Sequence, residues 1–213
     1  MYFDLSAIDR RNAYKLMTST IVPRPIAWVV SQDEQGRNNA APFSFFGAMS
    51  GDPPIVCIGV GSRPDGPKDT GANLRVDSGF VVNMVSAALL KRMNVTAIDF
   101  APGVDELQAA GLAIAASHKV APPRIADSPV AMECVVRQIL DMGPERRIVV
   151  AEILAFHVRD DAVLDADRCY IDTPNLDLVG RMHGGGWYTY QGELVEVPRW
   201  SEADWRASGE PRD

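Results

Sequence analysis

In the stretch PKDTGAN, residues 67 to 73, Lys68 and Thr70 stand at the expected start of a helix. Free backbone N–H groups and the positive end of the helix dipole favour an anion there, and a lysine beside a hydroxyl suits a phosphate. The same residues also read as a plain cap, with Asp69 or Thr70 bonding to the backbone and Lys68 in solvent. Asp69 is compatible with a phosphate only where it points away. A second polar cluster lies in GRMHGGGWY, where an extended chain puts Arg181 and His183 on one face. Gly184, Gly185 and Gly186 beside them would let a ligand approach, although a surface loop has the same composition.

Other chemistries find little support. His118, His157 and His183 are too scattered for metal-ligand spacing, and His157 reads as structural at the end of a strand pattern. No GxSxG surrounds Ser44, no GxGxxG opens a helix, and no GxxxxGK[ST] is present. Cys57, Cys134 and Cys169 form no CxxC or Cys/His cluster, so all three are expected to be buried small hydrophobes. The remaining anomaly is NNAAPFSFFGAMSGDPP, residues 38 to 54, which has no helical stripe and interrupts any clean alternation. Its small residues let a backbone approach something flat or bulky, and Ser44 adds a hydroxyl.

The elements that must position these groups are short. Asp9 to Met17 predicts a helix with Ser6 as candidate cap, and Ile26 to Val30 predicts a strand after Pro23 and Pro25. A turn at 33 to 37 follows. Residues 55 to 61 (IVCIGVG) and 80 to 86 (FVVNMVS) read as strands buried on both faces. Between them, Gly66 and Pro67 open the helix that carries Lys68, and further short helices are expected over 87 to 97 and 105 to 110. Met132, Cys134, Val136 and Leu140 alternate against Glu133 and Arg137, and GPER turns that strand into RIVVAEILAFHV as a hairpin. Residues 160 to 190 read as loop-rich. Even strand spacing without long βαβ alternation predicts an antiparallel barrel with peripheral short helices, as one domain over 1 to 200 followed by a polar tail, 201 to 213.

Composition bounds the partners. The 213 residues are 46% hydrophobic and 23% charged, enough for a real core without disulfides. A net charge of −7 argues against nonspecific nucleic-acid binding. No window approaches a membrane span and no secretory h-region is visible, so a cytoplasmic setting is expected.

Taken in order, RPIAWV, NNAAPFSFF, DPP, KDT followed by Asn73, and FVVNMVS resemble the flavin reductase-like family with the FMN-binding split barrel, in particular its flavoredoxin-type branch. IVVAEILAFHVRDD, YIDTPNLDLVGRMHGGGWY and VEVPR extend the likeness to roughly residue 200. The resemblance implies a mainly β fold built on a six-stranded antiparallel split barrel, a homodimer, and FMN near the subunit interface. Ala41, Pro42, Phe43, Ser44, Phe45 and Phe46 would run along the flavin. Lys68, Asp69 and Thr70 would form the turn around its phosphate, with Asn73 assisting. NADH or NADPH would be the transient electron donor, with His183 or Arg181 positioning nicotinamide or a substrate. Electrons would pass to an acceptor or a partner oxygenase, or the chain would be a flavoredoxin-like electron carrier without efficient NAD(P)H chemistry of its own. Some reductase branches carry a Gly-Asp-His-like turn before the last long strand, where this chain has Gly143-Pro144-Glu145-Arg146-Arg147.

Overall fold

The computed structural model describes residues 1–63, 66–101, 103–143 and 145–208. Helix α1 (Arg10–Thr20) is capped by Asp9, not Ser6: the Asp9 carboxylate accepts the Asn12 N–H at 2.8 Å, while Ser6 bonds to Asp4. Next come β1 (Ala27–Gln32), β2 (Asn38–Phe43), β3 (Phe46–Gly51), β4 (Pro54–Arg63) and β5 (Gly66–Pro67), then α2 (Asp69–Asn73) and β6 (Gly79–Asn83). A 3-10 turn at Ala87–Leu89 runs into α3 (Leu90–Val95), followed by α4 (Glu106–Ala109), β7 (Ile114–Ala115) and β8 (Arg124–Ile125). The long hairpin of β9 (Val130–Asp141) and β10 (Arg146–Val158) matches its sequence pattern, although Pro144 of its turn lies outside the described residues. The region expected to be loop-rich carries two small ribbons, β11 (Val163–Asp165) with β12 (Tyr170–Ile171), and β13 (Val179–Arg181) with β14 (Tyr188–Tyr190). The polar tail holds α5 (Glu202–Ser208), and residues 209–213 lie outside the described residues.

The main sheet runs β2-β1-β6-β9-β10-β4-β3, with each neighbour antiparallel and β5 added beside β4. Its seven-strand path is close to the six strands expected, and the small-residue segment itself supplies β2 and β3. These two strands occupy opposite ends of the path, yet only Ser44 and Phe45 separate them. Flat, the two edges would stand roughly 29 Å apart at about 4.8 Å per strand, whereas the link from Phe43 to Phe46 spans at most about 11 Å. The sheet therefore curls into a barrel with its seam at residues 43 to 46, where the Gly59 N–H, donating to the Phe45 carbonyl at 2.7 Å, extends the β3–β4 ladder into the link.

Inside the barrel pack Ala27, Val29, Phe43, Val56, Ile58, Val60, Phe80, Val82, Met132 and Cys134. The even-numbered face of β1 (Ile26, Trp28, Val30) and Val81 of β6 pack outward under Leu89, Met93 and Leu107. Strands β1 and β6 are thus buried on both faces, which is why they read as unbroken apolar runs. The expectation of the same for residues 55 to 61 fails: β4 buries only Val56, Ile58 and Val60, with partly exposed residues between them. The outer layer is anchored by Trp28, whose indole N–H donates to Thr96 Oγ1 at 2.9 Å beyond the end of α3. Of the cysteines only Cys134 is buried as expected; Cys57 is half-exposed because it faces outward on β4, and Cys169 is exposed. Burial pushes the Cys134 thiol up to about 12.

Glu133 breaks the alternation. It lies on the outward face of β9 yet is fully buried, because residues 118 to 120 cross over it. Its carboxylate accepts the N–H groups of His118 (2.8 Å), Lys119 and Val120 and pairs with Nε2 of His157, whose ring stacks on that of His118 at 5.3 Å. His157 is a structural residue, as its position implied. Burial alone would raise the Glu133 pKa, but the hydrogen bonds from His157, His118 and Lys119 outweigh it and hold it at about 2. A depressed carboxylate contributes stability above its unfolded value near 4.5 and loses that contribution as pH falls toward about 2. Glu133→Gln is expected to cost about 3 kcal/mol in urea unfolding at pH 7, since its amide keeps one acceptor oxygen and sets an NH2 group against the donors the other oxygen served. Its deficit against the parent should narrow as pH falls from about 4.5 to about 2. A deficit constant across that window would remove the charge from the account.

Candidate functional site

The seam brings the two sequence clusters together. Ala41, Pro42 and Phe43 of β2 line one side of a small recess of about 70 Å³, and Lys68, Asp69 and Thr70 at the start of α2 line another. As the terminal strand, β2 has a free edge, so the missing N–H of Pro42 does not interrupt an interior strand. Side chains divide along it by pleat: Phe43 points into the barrel core, and Ala41 and Phe46 pack against that core. What the ledge offers a ligand is mostly backbone.

Lys68 stands at the N-cap position of α2 and makes no side-chain capping bond, which leaves its ammonium free for solvent, as in the plain-cap reading, or for an anion. The helix's first internal bond runs from the Ala72 N–H to the Lys68 carbonyl. Thr70 is buried, and its Oγ1 accepts from Asn39 Nδ2 at 2.8 Å, leaving its own proton to donate. Asp69 turns to Arg63 at 3.6 Å, which meets the condition for an anion beside it. Arg63 also has Nε 3.3 Å from Asp99 Oδ1, near enough for charge attraction but misaligned for a hydrogen bond, so this buried N–H lacks an acceptor. Among the described residues no carboxylate lies within ion-pair distance of Lys68.

Beneath the recess Glu106 is buried and accepts the Ala40 N–H at 3.1 Å. Burial raises its pKa; the Ala40 N–H works against that rise, and Asp69 and Asp105 add to it. The raised pKa makes Glu106 easier to neutralise beside an incoming anion; Asp99, which also lines the recess, faces Arg63 Nε at 3.3 Å. Asn73 departs from expectation: its amide donates to Ser31 Oγ at 3.1 Å and it lines a neighbouring polar cleft of about 490 Å³ beside Asn38, Arg75 and Asp105. It is not part of the recess.

Farther along the seam, Ser44, Phe45 and Phe46 line a second, apolar cleft. Ribbon β13–β14 docks beside it through paired backbone bonds between Arg24 and Arg181, at 2.9 and 2.8 Å. Gly180 permits this approach, since a Cβ there would sit 2.8 Å from Pro23 Cβ. The Arg181 guanidinium lies over Tyr188 at 4.6 Å, and the exposed His183 ring leans on Trp187 at 5.6 Å. The fold thus brings the Arg181–His183 segment to the Ser44 end of the seam, while no described contact joins the His183 side chain to Lys68 or Thr70.

Arg63, Asn39, Glu106 and Arg24 escaped the sequence reading. Arg24 stood in the quoted RPIAWV motif and Asn39 in NNAAPFSFF, but the first was taken only as the approach to a strand. Arg63 and Glu106 carry no local signal; they meet the recess only through the sheet's closure.

The fold of this chain is shared with known proteins. The chain belongs to the family described as "Flavin reductase like domain", whose model matches residues 17–174. It is 44% identical to an uncharacterized protein of Deinococcus radiodurans over 100% of this chain and 95% of that one. Among solved structures it is similar to 2-nitrobenzoate 2-nitroreductase of Pseudomonas fluorescens (32% identity, TM-score 0.86, 95% of this chain and 98% of that one). It is also similar to nitrilotriacetate monooxygenase component B from Bacillus cereus (26% identity, TM-score 0.86, 92% and 98%). No helix among the described residues is long and apolar enough to cross a membrane.

The recess should bind a simple anion. Inorganic phosphate at ten times its Kd is expected to add about 1.4 kcal/mol, read as a rise of roughly 3 to 6 °C in the melting temperature. Lys68→Met should abolish most of that rise, and an equal shift in parent and variant would detach Lys68 from the anion.

Proposed function

We propose that the chain is an FMN-binding oxidoreductase that takes reducing equivalents from NADH or NADPH and passes them to an acceptor or a partner oxygenase. One observation carries this reading: the Lys68–Thr70 turn and the Ala41–Phe43 ledge, apart in sequence, line one recess. Family membership supports the same direction, as do two similar proteins named as a monooxygenase component and a nitroreductase.

The residues fit FMN. Lys68, the Thr70 hydroxyl and the unpartnered Arg63 Nε would hold its terminal phosphate, with Asp69 kept aside by Arg63. The free edge of β2 would meet the ring's polar edge with backbone groups. Bound FMN would supply a ring able to accept hydride at N5 and release electrons onward. Phe45 and Phe46 would stand beyond the ring's far end and keep water from it, leaving the cleft that they wall open. Arg181 and His183 would stand at the open end, where nicotinamide or an acceptor arrives. A homodimer belongs to this reading, because Leu154 and Phe156 on β10 and Met49 on β3 leave apolar surface exposed that a second subunit would cover.

Flavin released from the purified protein should be mainly FMN, and Lys68→Ala should weaken FMN binding roughly tenfold to 150-fold in a fluorescence titration. Its melting temperature should stay near the parent's. Recovery of mainly FAD, or unchanged affinity, would reject this anchor. His183→Ala is expected to leave FMN bound while slowing its bleaching by NADH or NADPH about tenfold, equal to about 1.4 kcal/mol of barrier. An unchanged bleaching rate in stopped flow would return His183 to an ordinary surface role.

A further inference from the structure

The apolar cleft beside the seam holds about 280 Å³ and is walled by Met17, Ile21, Pro23, Pro25, Phe45 and Phe46. That is the size of a small ligand's pocket. At its base lies Arg24, only 7% exposed. Its Nη1 donates to the carbonyls of Thr18 (2.8 Å) and Ile21 (2.7 Å), Nη2 donates to Met182 O (2.7 Å), and Nε makes a long contact of 3.4 Å to Ser44 Oγ. A guanidinium has five N–H donors, so one on Nη2 is left over.

The charge itself is not matched. Among the described residues no carboxylate lies within ion-pair distance of Arg24 or of Arg181, its neighbour across the backbone pairing. Thr18 and Ile21 belong to the C-terminal end of α1, whose dipole offsets part of the charge. Burial still works against the charged form, with Tyr14 opposing that effect and Arg181 reinforcing it. A buried cation without a counter-charge is costly, and here it sits at the bottom of an open cleft. Phe45, with Tyr14 at 6.1 Å, presents an aromatic surface on one side.

We infer that this cleft is a binding site for a small aromatic monoanion, its ring against Phe45, Met17 and Ile21 and its anionic group turned to Arg24. Binding of this kind stands on the cleft alone. That the occupant is the molecule reduced in the reaction rests on the flavin reading above.

Benzoate is the probe, compared by calorimetric titration with benzyl alcohol, which has the ring without the charge, and acetate, which has the charge without the ring. Both the flavin-free and the FMN-loaded protein are titrated. Benzoate is expected to bind both forms at least tenfold more tightly than either comparator. Arg24→Gln should remove that preference. Because Arg24 also ties α1 to the ribbon, Met17→Glu provides a second route: Met17 is 47% exposed, so a carboxylate there changes the cleft rather than the core. It should lower benzoate affinity tenfold or more and leave benzyl alcohol nearly unchanged. Equal binding of benzoate and benzyl alcohol, or no binding of either, would show that helix-end carbonyls already balance Arg24 and overturn the proposal. Displacement of benzoate by FMN would also overturn it, assigning the cleft to the flavin ring. A protein that binds no FMN defeats the flavin reading instead, and the flavin-free titration still decides the cleft.

Discussion

Two residues joining opposite edges of one sheet govern this structure. Because Ser44 and Phe45 alone connect β2 to β3, the sheet has to curve until its first and last strands meet, and the meeting line cannot be filled like an ordinary strand pair. Backbone groups along that line keep free hydrogen-bonding capacity, and small side chains keep it open. The recess at Ala41–Phe43 and the cleft at Ser44–Phe46 are two stretches of one unfinished closure. Everything that reaches them, from the α2 turn to the β13–β14 ribbon, is held against the closed barrel from outside.

Charge in this region is arranged in opposition. Around the recess Arg63 is shared between Asp69 and Asp99, Glu106 is eased toward its neutral form, and among the described residues no carboxylate pairs with Lys68. At the other end Arg24 has carbonyl neighbours and, among the described residues, no carboxylate. The chain as a whole carries net charge −7, so these two positive points are local exceptions that the fold maintains.

Much of the barrel was legible because burial leaves a periodic imprint. The β9–β10 hairpin showed itself through alternation, and β1 and β6 through unbroken apolar runs, each a direct record of which faces are covered. Strands β2 and β3 left no such record: edge strands around a ligand-sized gap are selected for smallness, and Ala, Pro, Ser and Gly carry little strand signal. Glu133 misled for a related reason. Alternation assigns a carboxylate to the outer face, as it does here, but whether that face meets solvent depends on a segment crossing from residues 118 to 120. Lys68 and Thr70 could be set at a helix start from sequence alone because a helix start is a local event. Arg63, Glu106 and Arg24 could not be set beside the seam, because each owes its place to closure across long sequence separations.

The barrel wall also has a chemical temperament. A thiol reacts with oxidants as its thiolate, and a Cys134 pKa pushed to about 12 leaves roughly one molecule in 100,000 in that form at neutral pH. Burial shifts Cys57 in the same direction. An oxidant reaching the barrel wall would therefore find almost no thiolate at Cys134, whose strand β9 lies midway along the sheet and farthest from the seam. Exposed Cys169, on a turn between the two short strands of the β11–β12 ribbon, would take the first damage. Among the three cysteines oxidation would thus work from the rim inward, and the buried wall would be the last to corrode.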